Sequence, residues 1–148
     1  MLMKNIYRLL RTLDFSEYGS FPDFEIYSIE GGKYDFTDNL GFPEDQDGVY
    51  IFLSKCKFPV FVQKKMSLLW EYKMLYCGKT KDLSTRFRDH NHKDDLKKYR
   101  HLYIAVTYCK NEREIDELEK RMLSTFRFRY NILNNDGKIN KNIAGVKL

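Results

Sequence analysis

Cysteine and proline are both scarce in this chain, with three of each in 148 residues. The cysteines, Cys56, Cys77 and Cys109, are odd in number and nowhere spaced C-x-x-C. That excludes a disulfide-stapled scaffold and a zinc knuckle, and it points to free thiols in a reducing compartment such as the cytoplasm. No apolar run approaches the ~18–20 residues of a membrane-spanning helix, so no membrane partner is expected. Internal repeats and low-complexity segments are lacking too. The opening stretch, MLMKNIYRLLRTLDF, has neither a long apolar centre nor a small-residue cleavage site. Leu2, Ile6, Leu9, Leu10 and Leu13 share one helical face, so this stretch is expected to be a structural helix and not a signal peptide.

What is present suffices for one domain with a core: 43% hydrophobic and 16% aromatic residues. The net charge of +5 hides an asymmetry. Residues 1–50 carry four Lys/Arg against ten Asp/Glu, residues 51–110 fourteen against five, and residues 111–148 eight against six. The basic middle is the footprint of a polyanion binder, although lysine-rich surfaces also arise from composition alone. The acidic first third is a candidate to fold over the basic groove and restrain it.

Along the chain, FEIYSI and GKYDF flank Gly31-Gly32 as a hairpin. VYIFLS, YKMLYCG and HLYIAVTYC read as three core strands. KDLSTRFRDH reads as a helix, and NEREIDELEKRMLSTFRF as a longer one capped by Asn111. FPVFVQKKMSLLW fits a strand or a loop with a short helix. From residue 48 the order is β, β, α, β, α.

Two strings mislead. Gly78-Lys79-Thr80 ends like a phosphate loop, but Lys73 stands where G-x-x-x-x-G-K-[ST] requires its first glycine. No nucleotide cofactor is expected. The contiguous His90-Asn91-His92 spells the name of a nuclease class whose three residues come from separate elements, so the adjacency carries no meaning.

The helical wheels are more informative. In the long helix Ile115, Leu118, Met122, Leu123 and Phe126 form one stripe, and Glu119 falls inside it. A carboxylate on a core-facing stripe costs several kcal/mol unless paired or bound to a cation. Taken alone, Glu119 reads more readily as a half-exposed groove-edge residue than as a ligand. In the shorter helix Arg86 and His90 lie one turn apart beside Leu83 and Phe87. An acid on one helix and an arginine with a histidine on the other look like two walls of one site.

The spacing then becomes familiar. Gly48-Val49-Tyr50 on one strand and Tyr76-Cys77-Gly78 on the next resemble the paired tripeptides of the GIY-YIG nuclease family. Arg86 stands ten residues after Tyr76, His90 four further on, and Asn131 twelve after Glu119, each as in that family. The resemblance covers residues 48 to about 133. Cys77 replaces the usual Ile or Val, and a lysine-rich insertion at about 55–73 separates the two strands, where shorter members have a tight turn.

The resemblance implies an α/β fold of the α+β type. A small, mainly antiparallel three-stranded sheet is flanked by helices and preceded by an N-terminal helix and hairpin extension. It divides the chain into an acidic extension (1–47), the nuclease-like domain (48–133) and a basic tail (134–148). It further implies a Mg²⁺-dependent endonuclease acting on DNA, with Mn²⁺ able to substitute. Tyr50, Tyr76, Arg86, His90, Glu119 and Asn131 would be catalytic, Glu119 would hold the metal, and Gly48 and Gly78 would serve the strands. Tyr50 would be the general base, Arg86 would grip the phosphorane, and Asn131 would orient the phosphate or the base. Lys79, with Lys64, Lys65, Lys93, Lys97 and Lys98, would contact backbone phosphates. The alternative is a non-catalytic nucleic-acid-binding or partner-binding module on the same scaffold.

Overall fold

The computed structural model describes residues 7–28, 47–57, 61–62, 65–66, 70–81, 93–96, 98–99, 102–131 and 135–147. Its strands are β1 (Tyr7–Leu13), β2 (Phe24–Ser28), β3 (Gly48–Lys57), β4 (Phe61–Val62), β5 (Lys65–Met66), β6 (Trp70–Thr80), β7 (Tyr103–Tyr108) and β8 (Ile143–Lys147). The described α-helices are one turn, α1 (Lys93–Leu96), and the longer α2 (Glu112–Thr125), and a 3₁₀ turn spans Ser16–Tyr18.

Six strands close into a barrel in the order β1-β2-β7-β3-β6-β8, every pairing antiparallel. This corrects the expected architecture. The three strands read from the sequence are present as β3, β6 and β7, but they are half of a closed wall and not a whole sheet. The N-terminal helix is also corrected: residues 7–13 are strand β1. The polar tail supplies β8, which joins β1 to β6. The insertion forms a separate two-stranded hairpin, β4–β5. The expected helix over 81–90 and the second hairpin strand at 32–36 lie outside the described residues.

Why the wall holds follows from side-chain alternation. Leu13, Phe24, Ile26, Val49, Ile51, Leu53, Tyr72, Met74, Tyr103, Ala105 and Ile143, drawn from all six strands, are buried in one cluster that fills the interior. On the outer face of β3, β6 and β7 a second cluster gathers Tyr50, Phe52, Leu75, Ile104 and Val106 under Leu96 and Leu102. With both faces covered, β3 and β7 read as continuous apolar runs. Gly145 in β8 leaves room for Tyr72, whose ring carbon a Cβ there would meet at 2.5 Å.

Helix α2 begins with the predicted cap: the Asn111 side chain accepts from the Glu114 N–H at 3.0 Å. Its Ile115, Leu118, Met122 and Leu123 join the interior cluster, with Phe126 just past its end. The N-terminal segment is bound to this helix. Phe15, Tyr18 and Phe21 pack on Phe126 with ring centroids 5.0–5.7 Å away, and Arg121 donates to the Ser20 carbonyl at 2.7 Å.

Within β6, strand β8 pairs with Trp70–Tyr72. The remainder of β6, residues 73–80, runs on past the closing strand, and the site is built on this stretch.

Candidate active site

Four consecutive residues of β6, Tyr76 to Lys79, each touch a residue singled out in the sequence. Tyr76 and Gly78 share the face of Tyr50. Tyr50 is fully buried, and its ring lies 6.2 Å from that of Tyr76 and 5.7 Å from that of Phe52. Gly78 pairs across the strands with Tyr50, and a side chain at 78 would enter the volume of both tyrosine rings. Gly48, at the start of β3, is in register with Thr80 and Tyr108.

Cys77 points its side chain to the interior and its backbone to the outer edge. Asn131 meets that edge like a strand partner: its Oδ1 accepts from the Cys77 N–H, and its Nδ2 donates to the Cys77 carbonyl, both at 2.9 Å. One position on, the Tyr130 N–H donates to the Leu75 carbonyl at 2.8 Å. Leu75 lies at the register irregularity of β6, between the pairs Phe52↔Tyr76 and Leu53↔Met74. The extra residue is a β-bulge, a device that re-aims neighbouring side chains.

Lys79 extends on the α2 side. Its Nζ lies 2.7 Å from Asp116 Oδ1 and 4.0 Å from Glu119 Oε1. The hydrogen bond to Asp116, with the nearby charges of Glu119 and Glu112, raises the Lys79 ammonium above its ordinary value. Glu119 itself retains 21% side-chain exposure, so it sits partly exposed at the edge of the stripe in which the wheel placed it. Burial, with Glu119 nearby, pushes the Cys77 thiol well above its ordinary range. Lys79, Asp116, Glu119 and Asp136 line one cavity of about 350 Å³.

The other candidates are distributed as follows. Arg86, His90, Lys64 and Lys97 lie outside the described residues. Lys65 and Lys93 are placed by backbone only, in β5 and α1. Lys98 is exposed, with its Nζ 3.7 Å from Asp95. Asp116 was not singled out in the sequence, although its i, i+3 relation to Glu119 is the signal that could have found it. The Tyr99–Tyr130 pair was also missed. Their hydroxyls are 3.1 Å apart and their rings edge to face, and burial together with that bond pushes Tyr99 up to about 12. Nothing in the spacing of those two residues announces the contact.

Paired strands carrying Gly48-Val49-Tyr50 and Tyr76-Cys77-Gly78, with a glutamate-bearing helix against their shared edge, define a nuclease-type domain. The family model described as the GIY-YIG catalytic domain matches residues 46–131, more than half of the chain, and the chain belongs to the GIY-YIG nuclease family. No curated protein and no solved structure gives a significant match. The matched span leaves out β1, β2 and β8, the strands that complete the barrel.

Proposed function

We propose that the protein is a metal-dependent endonuclease hydrolysing DNA phosphodiester bonds with Tyr50, Tyr76, Arg86, His90, Glu119 and Asn131, the residues at the positions of the family pattern. The observation that carries this reading is the run Tyr76–Lys79, along which contacts to Tyr50, Asn131 and Glu119 follow one another within four residues.

Among the described residues no three His, Cys, Asp or Glu side chains are grouped to hold a metal, so the reading rests on Glu119 with water completing the shell. Glu119, Asp116 and Asp136 offer only oxygen, and Mg²⁺ is commonly held by one or two carboxylates while keeping several waters. Glu119 would hold Mg²⁺ or Mn²⁺, which when bound supplies Lewis-acid polarisation of the scissile phosphate. The Lys79 ammonium, 2.7 Å from Asp116 and 4.0 Å from Glu119, supports positive charge being favoured beside these carboxylates. Tyr50, a phenol with a reference pKa of about 10, would take the proton of the attacking water only while passing its own phenolic proton on through Tyr76 or His90, and Arg86 would offer its planar fork to the phosphate oxygens. Asn131 holds the edge of β6 in position through Cys77. Free, buried thiols at Cys77 and Cys109 suit a cytoplasmic setting. Among the described residues no helix is long and apolar enough to cross a membrane.

The test is cleavage of plasmid, single-stranded and branched DNA with and without Mg²⁺, comparing wild type with Glu119→Gln and Arg86→Ala. Cleavage by wild type alone, with DNA binding retained in both variants, is the expected result. Full Mg²⁺-dependent activity in either purified variant overturns the assignment.

A further inference from the structure

Of the six lysines expected to grip phosphates, the two whose side chains are described, Lys79 and Lys98, each stand against a carboxylate. Lys79 is held by Asp116 and Glu119, Lys81 by Glu112 at 3.1 Å, and Lys98 by Asp95. Arg113 bonds Glu117 at 3.0 Å, and Arg121 donates to Ser20. A different group of cations has no carboxylate against it among the described residues. Lys73 of β6, with Arg127 and Arg129 of the segment after α2, lines a cleft of about 330 Å³. Phe128, Asn135 and Asn140 complete much of its wall, and no described Asp or Glu contributes to it.

The wall is rigid, and the sequence says why. Phe126, Arg127, Phe128, Arg129 alternate strictly, with the phenylalanines fully buried and the arginines exposed. Backbone bonds hold this extended stretch on both sides. The Arg127 N–H donates to the Ile139 carbonyl at 2.9 Å, and Tyr130 donates to Leu75. The Asn135 amide donates to the carbonyls of Phe128 and Asn131 at 2.9 and 3.0 Å and accepts from the Phe128 N–H at 3.2 Å. Two arginines thus project side by side from a fixed rail, and the Arg129 guanidinium lies 5.5 Å from the Tyr130 ring centre. The backbone that carries them needs little further ordering when they meet a ligand.

We propose that this cleft is a second contact surface for the DNA strand, in which Lys73, Arg127 and Arg129 hold backbone phosphates away from the scissile one. The inference rests on the nuclease reading for its choice of polyanion. Its place on the fold supports that choice. Lys73 precedes Tyr76 by three residues on one strand, roughly 10 Å at ~3.3 Å per residue, or about three nucleotide steps of ~3.4 Å. Such contacts fix the register of the strand and read no sequence.

The experiment is fluorescence anisotropy of labelled duplex DNA in EDTA, where hydrolysis cannot interfere, across a series of salt concentrations. The variants are Lys73→Ala/Arg127→Ala/Arg129→Ala and, as a charge-removal control, Lys110→Ala/Arg113→Ala. The triple variant is expected to bind roughly tenfold or more weakly, with the log–log salt slope reduced by about 2–3, near 0.9 for each phosphate no longer neutralised. Its circular dichroism melt should match wild type, because all three side chains are exposed. An unchanged slope, or an equal loss in the control, overturns the cleft. So does a wild type that binds no duplex at about 50 mM salt, where phosphate-driven binding is strong. A protein that binds through the cleft and never cleaves overturns the nuclease reading and leaves the cleft standing.

Discussion

The ring of Tyr50 lies over Gly78, its partner across β3 and β6: a Cβ at 78 would stand 2.5 Å from the phenolic oxygen and 2.6 Å from the carbon bearing it. The two residues are therefore one unit, a tyrosine that must be buried and a glycine that lets it be. Gly78→Ala is expected to cost about 1–3 kcal/mol through overpacking. Because the strain is specific to that ring, the same substitution in a Tyr50→Leu background should cost clearly less. Chemical denaturation of the four proteins in the double-mutant cycle checks this. Additive losses would mean that the glycine serves something other than Tyr50.

Asn131 has a structural role that its place in the family pattern does not reveal. Asn131→Ala leaves both the N–H and the carbonyl of Cys77 without their partner. A loss of about 1–3 kcal/mol is expected. Amide exchange distinguishes this from a surface effect. The Cys77 N–H should lose protection in the variant while that of Ile115 in α2, bonded to the Asn111 carbonyl at 3.2 Å, keeps it.

Two tyrosines titrate late. Burial pushes Tyr72 up to about 12, and burial with the bond from Tyr130 does the same for Tyr99. A phenol whose folded pKa lies above its unfolded value near 10 holds its proton more tightly in the native state. The stability it contributes is fully present below about pH 10 and is lost as pH rises from there towards about 12. Spectrophotometric titration should show a phenolate step near pH 12 that shrinks in Tyr72→Phe. Complete ionisation near pH 10 in protein that is still folded would contradict this.

Residues 7–28 supply two of the six staves of the barrel and the buried Leu13, Phe15, Phe24 and Ile26. Deleting residues 1–28 exposes the edges of β7 and β8 that β2 and β1 now cover. Loss of the cooperative thermal transition is expected. If the acidic segment acted as a detachable restraint, the truncated protein would instead stay folded and bind DNA more tightly. Calorimetry together with the anisotropy assay separates the two outcomes.

The central strands and α2 were legible because their signals are local. Val49, Ile51 and Leu53 alternate with Tyr50 and Phe52, the wheel of α2 shows one stripe, and Asn111 caps it as its position predicts. Strand β1 was not legible. Leu9, Leu10 and Leu13 fit a helical face, yet Leu10 has φ +56° and is 60% exposed, at a register irregularity between Arg8 and Thr12. A bulge breaks the period-two pattern and leaves a helical one in its place. The partners that override helix formation, β2 and β8, are set by long-range pairing. Strand β8 was hidden for a related reason: five residues with a glycine at the centre carry little pattern until Tyr72 is seen above Gly145. At the site, spacing picked out the glutamate that lies beside Lys79, but Asp116 and the bonding of Asn131 to Cys77 depend on where α2 and β6 meet.

The strand that shuts the wall comes after the other five in chain order, so during synthesis it is the last of the six to emerge. Until Ile143–Lys147 has left the ribosome, Arg11–Leu13 and Trp70–Tyr72 lack the neighbour that joins their edges in the finished barrel. Closure of the wall is therefore a late event, withheld until the other strands have been made. A nascent chain interrupted before residue 143 carries two uncovered edges, the kind of surface on which misassembly between chains begins.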